Sequence, residues 1–146
     1  MLRAPALVLP DGMPMPLPYR WLHAHGIVSL TPWHFIDKQA SAIGLRDEFL
    51  KEVGEPNPSL LRDWIPFARH QAQDDFAGFE LVDGEPTGAV YVVHLTWKQG
   101  AELPGWPGME LHADFWHWFT EHVIPETIEQ MDEGLLPDLL PDLFED

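Results

Sequence analysis

The stretch Ala89–Trp97 constrains the fold more than any other part of the chain. Read with the two-residue period of a strand, one face carries Ala89, Tyr91, Val93, Leu95 and Trp97, and the other Val90, Val92, His94 and Thr96. A strand with one solvated face alternates apolar and polar residues. This one is apolar on both faces for most of its length, so it belongs in the middle of a sheet covered on both sides. Phe76–Val82 precedes it as a second strand, with Ala77, Phe79 and Leu81 alternating against Phe76, Gly78 and Glu80. The link, Asp83-Gly84-Glu85-Pro86-Thr87-Gly88, is built of turn formers. Trp64–Ala68 reads as a third strand, which Pro66 pushes toward an edge or a bulge because it lacks an N–H. Arg69–Asp74 is polar and turn-like. Three consecutive strands with short links predict an antiparallel meander over about residues 64–97.

Helical signals flank this section. Residues 42–53 place Leu45, Phe49, Leu50 and Val53 on one face, with Gly54 as a C-terminal cap. Upstream, residues 1–17 form a proline-rich leader with one short strand at Ala6–Leu9. A short helix over Tyr19–His25 follows, with Pro18 in its first turn and Gly26 ending it. Ile27–Leu30 reads as a short strand and Thr31–Ile36 as an irregular apolar stretch. Residues 99–111 read as a loop around Pro104-Gly105-Trp106-Pro107-Gly108. A helix is predicted from about Ala113, with an apolar stripe of Phe115, Phe119 and Val123 continued by Ile124, Ile128 and Met131. Pro125 cannot donate to the carbonyl of Glu121, so the helix kinks or restarts there, and Gly134 ends it. The expected architecture is α+β: one domain over residues 1–134, a central antiparallel sheet flanked by helices, and the C-terminal helix packed on the sheet. Residues 135–146 form an acidic tail with a tandem Leu-Pro-Asp-Leu repeat.

Charge narrows the function. The 146 residues carry a formal net charge of −16, which argues against nucleic acid as a ligand, since neutralising phosphates takes a basic surface. The imbalance is local. Residues 1–98 hold twelve acids and eight bases, a net of −4, whereas residues 99–146 hold twelve acids and no base, a net of −12. There is no cysteine, so disulfides, thiolate-bound zinc, iron–sulfur clusters and a thiol nucleophile are excluded. The first ten residues lack a basic n-region and are broken by Pro5 and Pro10, and no apolar run approaches the ~18 residues of a membrane span. The expectation is a cytoplasmic protein without membrane partners.

Few residue patterns here carry chemistry. None of the three serines lies in G-x-S-x-G, and no glycine-rich phosphate loop is present. His23 and His25 on one helix would diverge by ~200°. His112, His117 and His122 recur every five residues, and on one helix neighbours would stand ~140° apart, unable to converge on an ion. His117, Glu121 and His122 resemble H-x-x-E-H but with one residue too many. Asp74 and Asp75 offer a carboxylate pair for acid–base work or Mg²⁺, although adjacent residues on a strand face opposite ways. No cofactor or metal is expected. For protein contact the candidates are Asp74 and Asp75, Trp106 as an aromatic anchor in a loop, and the acids Glu121, Glu126, Glu129, Asp132 and Glu133 lying mostly off the helical stripe.

Three runs carry a family likeness: Trp64-Ile65-Pro66-Phe67-Ala68, then Asp74-Asp75-Phe76-Ala77-Gly78-Phe79-Glu80, then Val90-Tyr91-Val92-Val93-His94. With Pro18–Leu22 and Pro32–Phe35 before them and Phe115–Phe119 after them, they resemble the SUKH superfamily over roughly residues 16–125. That group takes in fungal cell-wall-synthesis regulators and bacterial immunity proteins. Gln73 stands where members often have glycine, and the tail after Gly134 has no counterpart. The resemblance implies a non-enzymatic α+β domain that binds a protein. In the bacterial case the partner is a polymorphic toxin, often a nuclease, whose basic groove suits an acidic ligand. A regulatory scaffold and a His/Asp metal-dependent hydrolase are the alternatives.

Overall fold

The structure is a computed structural model that describes residues 6–54, 63–71, 75–94 and 108–134. Its centre is a six-stranded antiparallel sheet in which every strand neighbours the next in sequence. The strands are β1 (Ser29–Leu30), β2 (Trp33–Phe35), β3 (Asp63–His70), β4 (Asp75–Val82), β5 (Glu85–His94) and β6 (Gly108–His112). Helix α1 spans Leu17–Ala24. Helix α2 spans Gln39–Phe49 and runs on into a π-helical turn, Leu50–Gly54. The C-terminal unit is α3 (Phe115–Trp118), a π-helical turn (Phe119–Val123) and α4 (Ile124–Asp132).

The two apolar faces of β5 are both covered, as its residues require. On one side Val90 and Val92 join Phe67 and Phe79 in a core closed by Tyr19 of α1 and Phe115 and Trp118 of α3. The Phe67 ring lies 4.6 Å from Phe79 and 5.2 Å, edge-on, from Trp118. On the other side Tyr91 and Val93 pack with Trp64 and with Phe49 at the end of α2. The predicted α+β meander with a C-terminal helix on the sheet is therefore present. Arg46 fixes α2 to β3, donating from Nε and Nη2 to the two Asp63 oxygens at 2.7 and 2.9 Å.

Boundaries and edges depart from the sequence reading in several places. Pro66 lies in an interior strand, and its missing N–H is accommodated by a register shift between Pro66 and Ala68, the bulge form of the expectation. The apolar stretch before α2 is partly strand, since Trp33–Phe35 pairs with β3. Ala6–Leu9 is not a strand. Val8 makes one bridge to Pro14, while Leu7, Leu9 and Met15 are buried. This leader is tied down: the Leu7 N–H donates to the Tyr19 hydroxyl at 3.0 Å, and the Gln39 amide holds both backbone groups of Val8 at 2.9 Å.

The largest correction is β6. Gly108–His112 was expected to end a loop, yet it is the last strand, pairing Val92 with Glu110 and Val90 with His112. The preceding proline and glycine cluster conceals its alternation, Met109 and Leu111 to one side and Glu110 and His112 to the other. A second correction concerns α4. No residue of it is buried, and Ile124, Ile128 and Met131 are exposed rather than packed in the core. Counted at about 100° per residue, Ile124, Ile128 and Met131 stand about 160–220° round the helix from Phe115, so their own spacing turns the stripe away from the sheet. The expected restart at Pro125 takes the form of the π-helical turn followed by α4. Trp97, Trp106, Asp74 and the 135–146 tail lie outside the described residues.

Two glycines test this arrangement with opposite signs. A Cβ at Gly78 would run into the Trp64 ring and come within 2.8 Å of the Ile65 carbonyl oxygen and Pro66 Cα. Gly78→Ala should lower unfolding stability by about 1–3 kcal/mol. Gly44, inside α2, has open space around it, so Gly44→Ala should raise stability by about 0.5–1 kcal/mol. Denaturant titration reads both changes, and a neutral Gly78→Ala would contradict the packing of β4 on Trp64.

Candidate functional site

The C-terminal unit has an inner and an outer surface, and each gathers functional side chains. The inner one starts from Trp33. Its ring is 1% exposed and meets Trp118 and His70 edge-on, both at 5.4 Å between centroids. A buried indole N–H needs an acceptor. The acceptor is Glu126 of α4, whose Oε2 receives the Trp33 Nε1–H at 2.5 Å. The same oxygen lies 3.7 Å from His70 Nε2, and Oε1 lies 3.5 Å from His122 Nδ1.

From His122 the network turns to the sheet edge. Its Nε2 is 2.8 Å from Glu110 Oε2 on β6. Glu110 and His112, two apart on one strand, face the same way, and His112 Nε2 is 3.6 Å from the same Glu110 oxygen. His112 Nδ1 is paired with His117 Nδ1 of α3 at 2.8 Å. The helix begins at Phe115 with Asp114 as its cap, the carboxylate accepting from the His117 N–H at 2.8 Å, so His112 is not on it. The angular separation expected for three histidines on one helix therefore does not apply. His112 and His122 face each other, their rings perpendicular and 5.0 Å apart. Beside them a depression of about 190 Å³ is lined by Asp75, Val92, His94, Met109, Glu110 and His122. On its far wall Asp75 accepts from His94 Nδ1 at 2.5 Å.

These contacts shift proton affinities in opposite directions. The bond to Glu126 raises the His122 pKa above its ordinary value; burial opposes this and Glu110 reinforces it. Burial pushes His112 down, with Glu110 opposing and the two neighbouring histidines adding to the fall. Burial would raise the Glu126 carboxyl, but hydrogen bonds from His122 and Trp33, together with the charges of His122 and His70, hold it below the usual range.

The outer surface is α4 itself. Ile124, Ile128 and Met131, spaced by four and three, form an apolar stripe. Glu121, Glu129, Asp132 and Glu133 are exposed around it. Of the acids singled out on this helix, only Glu126 turns inward. Asp75 joins the histidine-lined depression rather than this face. Glu110 falls in the stretch 99–111 read as loop, and His112 was set aside with His117 and His122 as three residues of one helix. The i, i+2 spacing of one strand face would have revealed Glu110 and His112.

Comparison with known proteins finds no matching family model, no matching curated protein and no matching solved structure. Among the described residues no helix is long and apolar enough to cross a membrane.

The proton affinities are measurable by NMR titration of the imidazoles in metal-free buffer. His122 should titrate above 6.5 and His112 below it. The His122 contribution to stability is then fully present below pH 6.5 and fades as pH rises through its higher folded value. The His112 contribution is present above pH 6.5 and fades as pH falls through its lower folded value. Glu126→Gln should bring the His122 midpoint down. An unmoved midpoint would contradict the Glu126–His122 contact.

Proposed function

We propose that this chain is a non-catalytic, cytoplasmic protein-binding domain of the immunity type, whose C-terminal helix docks a basic partner, a cognate toxin domain of the nuclease kind. The observation that carries this reading is the outer face of α4. Ile128 and Met131 are 50% and 67% exposed, with acids around them. An apolar centre with a polar rim is the anatomy of a protein interface. No lysine or arginine follows Lys98 in the sequence, so the rim has one sign, which matches a partner whose groove is built for phosphate. The likeness of residues 16–125 to the SUKH superfamily supports the same reading and supplies the toxin as partner.

The acids and the apolar stripe have different tasks. Rim charges in high dielectric add little affinity, but they steer encounter and set its salt dependence. The affinity comes from desolvating Ile124, Ile128 and Met131 against a complementary surface. Nucleic acid is not a ligand on this account, because the chain carries the charge of its phosphates.

Co-expression with a toxin encoded beside the gene should restore growth and yield a stable complex. Triple reversal of Glu129, Asp132 and Glu133 to lysine should slow association by tenfold or more at low salt. Ile128→Ala should speed dissociation with little change in melting temperature. Absence of both rescue and complex with every neighbouring toxin would contradict the proposal. Capture of a host protein through the same face would replace it with a regulatory scaffold.

A further inference from the structure

The geometry points to a site for one divalent ion of the zinc class, held by Glu110, His112 and His122 between the edge strand β6 and the C-terminal unit. The three ligand atoms lie within 4.8 Å of one another. Zinc bonds to imidazole nitrogen and carboxylate oxygen of about 2.0–2.2 Å, at tetrahedral angles, set neighbouring ligand atoms about 3.3 Å apart. The two separations from Glu110 Oε2, 2.8 Å to His122 Nε2 and 3.6 Å to His112 Nε2, bracket that value. The shorter one holds a proton between nitrogen and oxygen, and an ion would take that proton's place.

His112 supplies an independent indication. Its side chain is 2% exposed, and its Nε2 is buried with no hydrogen-bond partner. Among the described residues the other buried nitrogens without partners, Trp64 Nε1 and Trp118 Nε1, are indole N–H groups and cannot ligate. An imidazole nitrogen can offer a lone pair, and leaving it unused in a buried position costs free energy. The contact with His117 is compatible with that role. If Nδ1–H donates to His117 Nδ1, Nε2 carries the lone pair.

His122 is supported from behind in the same way. With Nδ1 turned to Glu126 Oε1, its Nε2 faces Glu110. Glu126 is in turn anchored by Trp33. Carboxylate-backed histidine of this kind orients the ring and raises its basicity toward a metal. Two histidines and one carboxylate leave a fourth position, and Glu110 and His122 line the depression that also holds Asp75 and His94. The ion would fasten the edge of the sheet to the helix that carries the outer face. This inference is independent of the protein-binding reading, since it concerns the chain alone.

The test is zinc binding by the full chain after stripping with a chelator. Calorimetry and elemental analysis should give one Zn²⁺ per chain, and Zn²⁺ but not Mg²⁺ should raise the melting temperature. The His112 and His122 imidazole resonances should move on zinc addition while those of His23 and His25 stay. Glu110→Gln and His122→Gln, at accessible positions where folding is retained, should each weaken binding at least tenfold. The control His25→Gln should leave it unchanged. Absence of stoichiometric zinc, or binding that survives His122→Gln, would overturn the site.

Discussion

Burying the indole N–H of Trp33 unpaired would cost free energy, and the structure supplies its acceptor from 93 residues away. Glu126 reaches in from α4 and closes the contact at 2.5 Å. The polar side of the C-terminal unit is organised around this pairing. It brings α4 against the β1–β2 hairpin, where the Thr127 hydroxyl also reaches the Leu30 carbonyl at 3.5 Å. It turns the remaining acids of the helix outward. It gives His122 a carboxylate on Nδ1, which leaves Nε2 for Glu110 at the sheet edge. Leaving a buried donor or carboxylate unmatched costs about 1–3 kcal/mol or more, so neither partner is easily replaced alone.

The helix therefore works as a two-sided element. Its inner side is polar where most helices bury apolar residues, and its outer side is apolar where most are solvated. Phe115, Trp118 and Val123 face the core, and the stripe that begins at Ile124 lies off that side of the helix. Residues of the inner network fix the orientation of the outer face. The same network gathers nitrogen and oxygen donors at one edge of the sheet.

The sheet was legible because its information is local. The alternation in Phe76–Val82 and Ala89–Trp97 reports faces directly, and Pro66 announced its bulge. What stayed hidden depends on tertiary placement. β6 follows a cluster of prolines and glycines, and its five residues carry a mixed pattern that only pairing with β5 makes a strand. Nothing in the spacing of Glu110, His112 and His122 shows that a strand and a helix meet there, and counting His112, His117 and His122 on one helix led to the opposite conclusion. Ile124, Ile128 and Met131 have the period of a core stripe, but reading them as a continuation of Phe115, Phe119 and Val123 passes over the turn of about 100° between Val123 and Ile124. Glu126 looks in the sequence like its exposed neighbours.

The dependence of the C-terminal unit on the Trp33–Glu126 contact is open to one direct measurement, a double-mutant cycle of equilibrium unfolding with Trp33→Phe and Glu126→Leu. Each change removes one partner, and the cycle isolates what they contribute together. The structure predicts a coupling energy of about 1 kcal/mol or more, with the double variant less destabilised than the two single losses summed. Losses that add to within about 0.5 kcal/mol would mean that the helix is held to the sheet by something else.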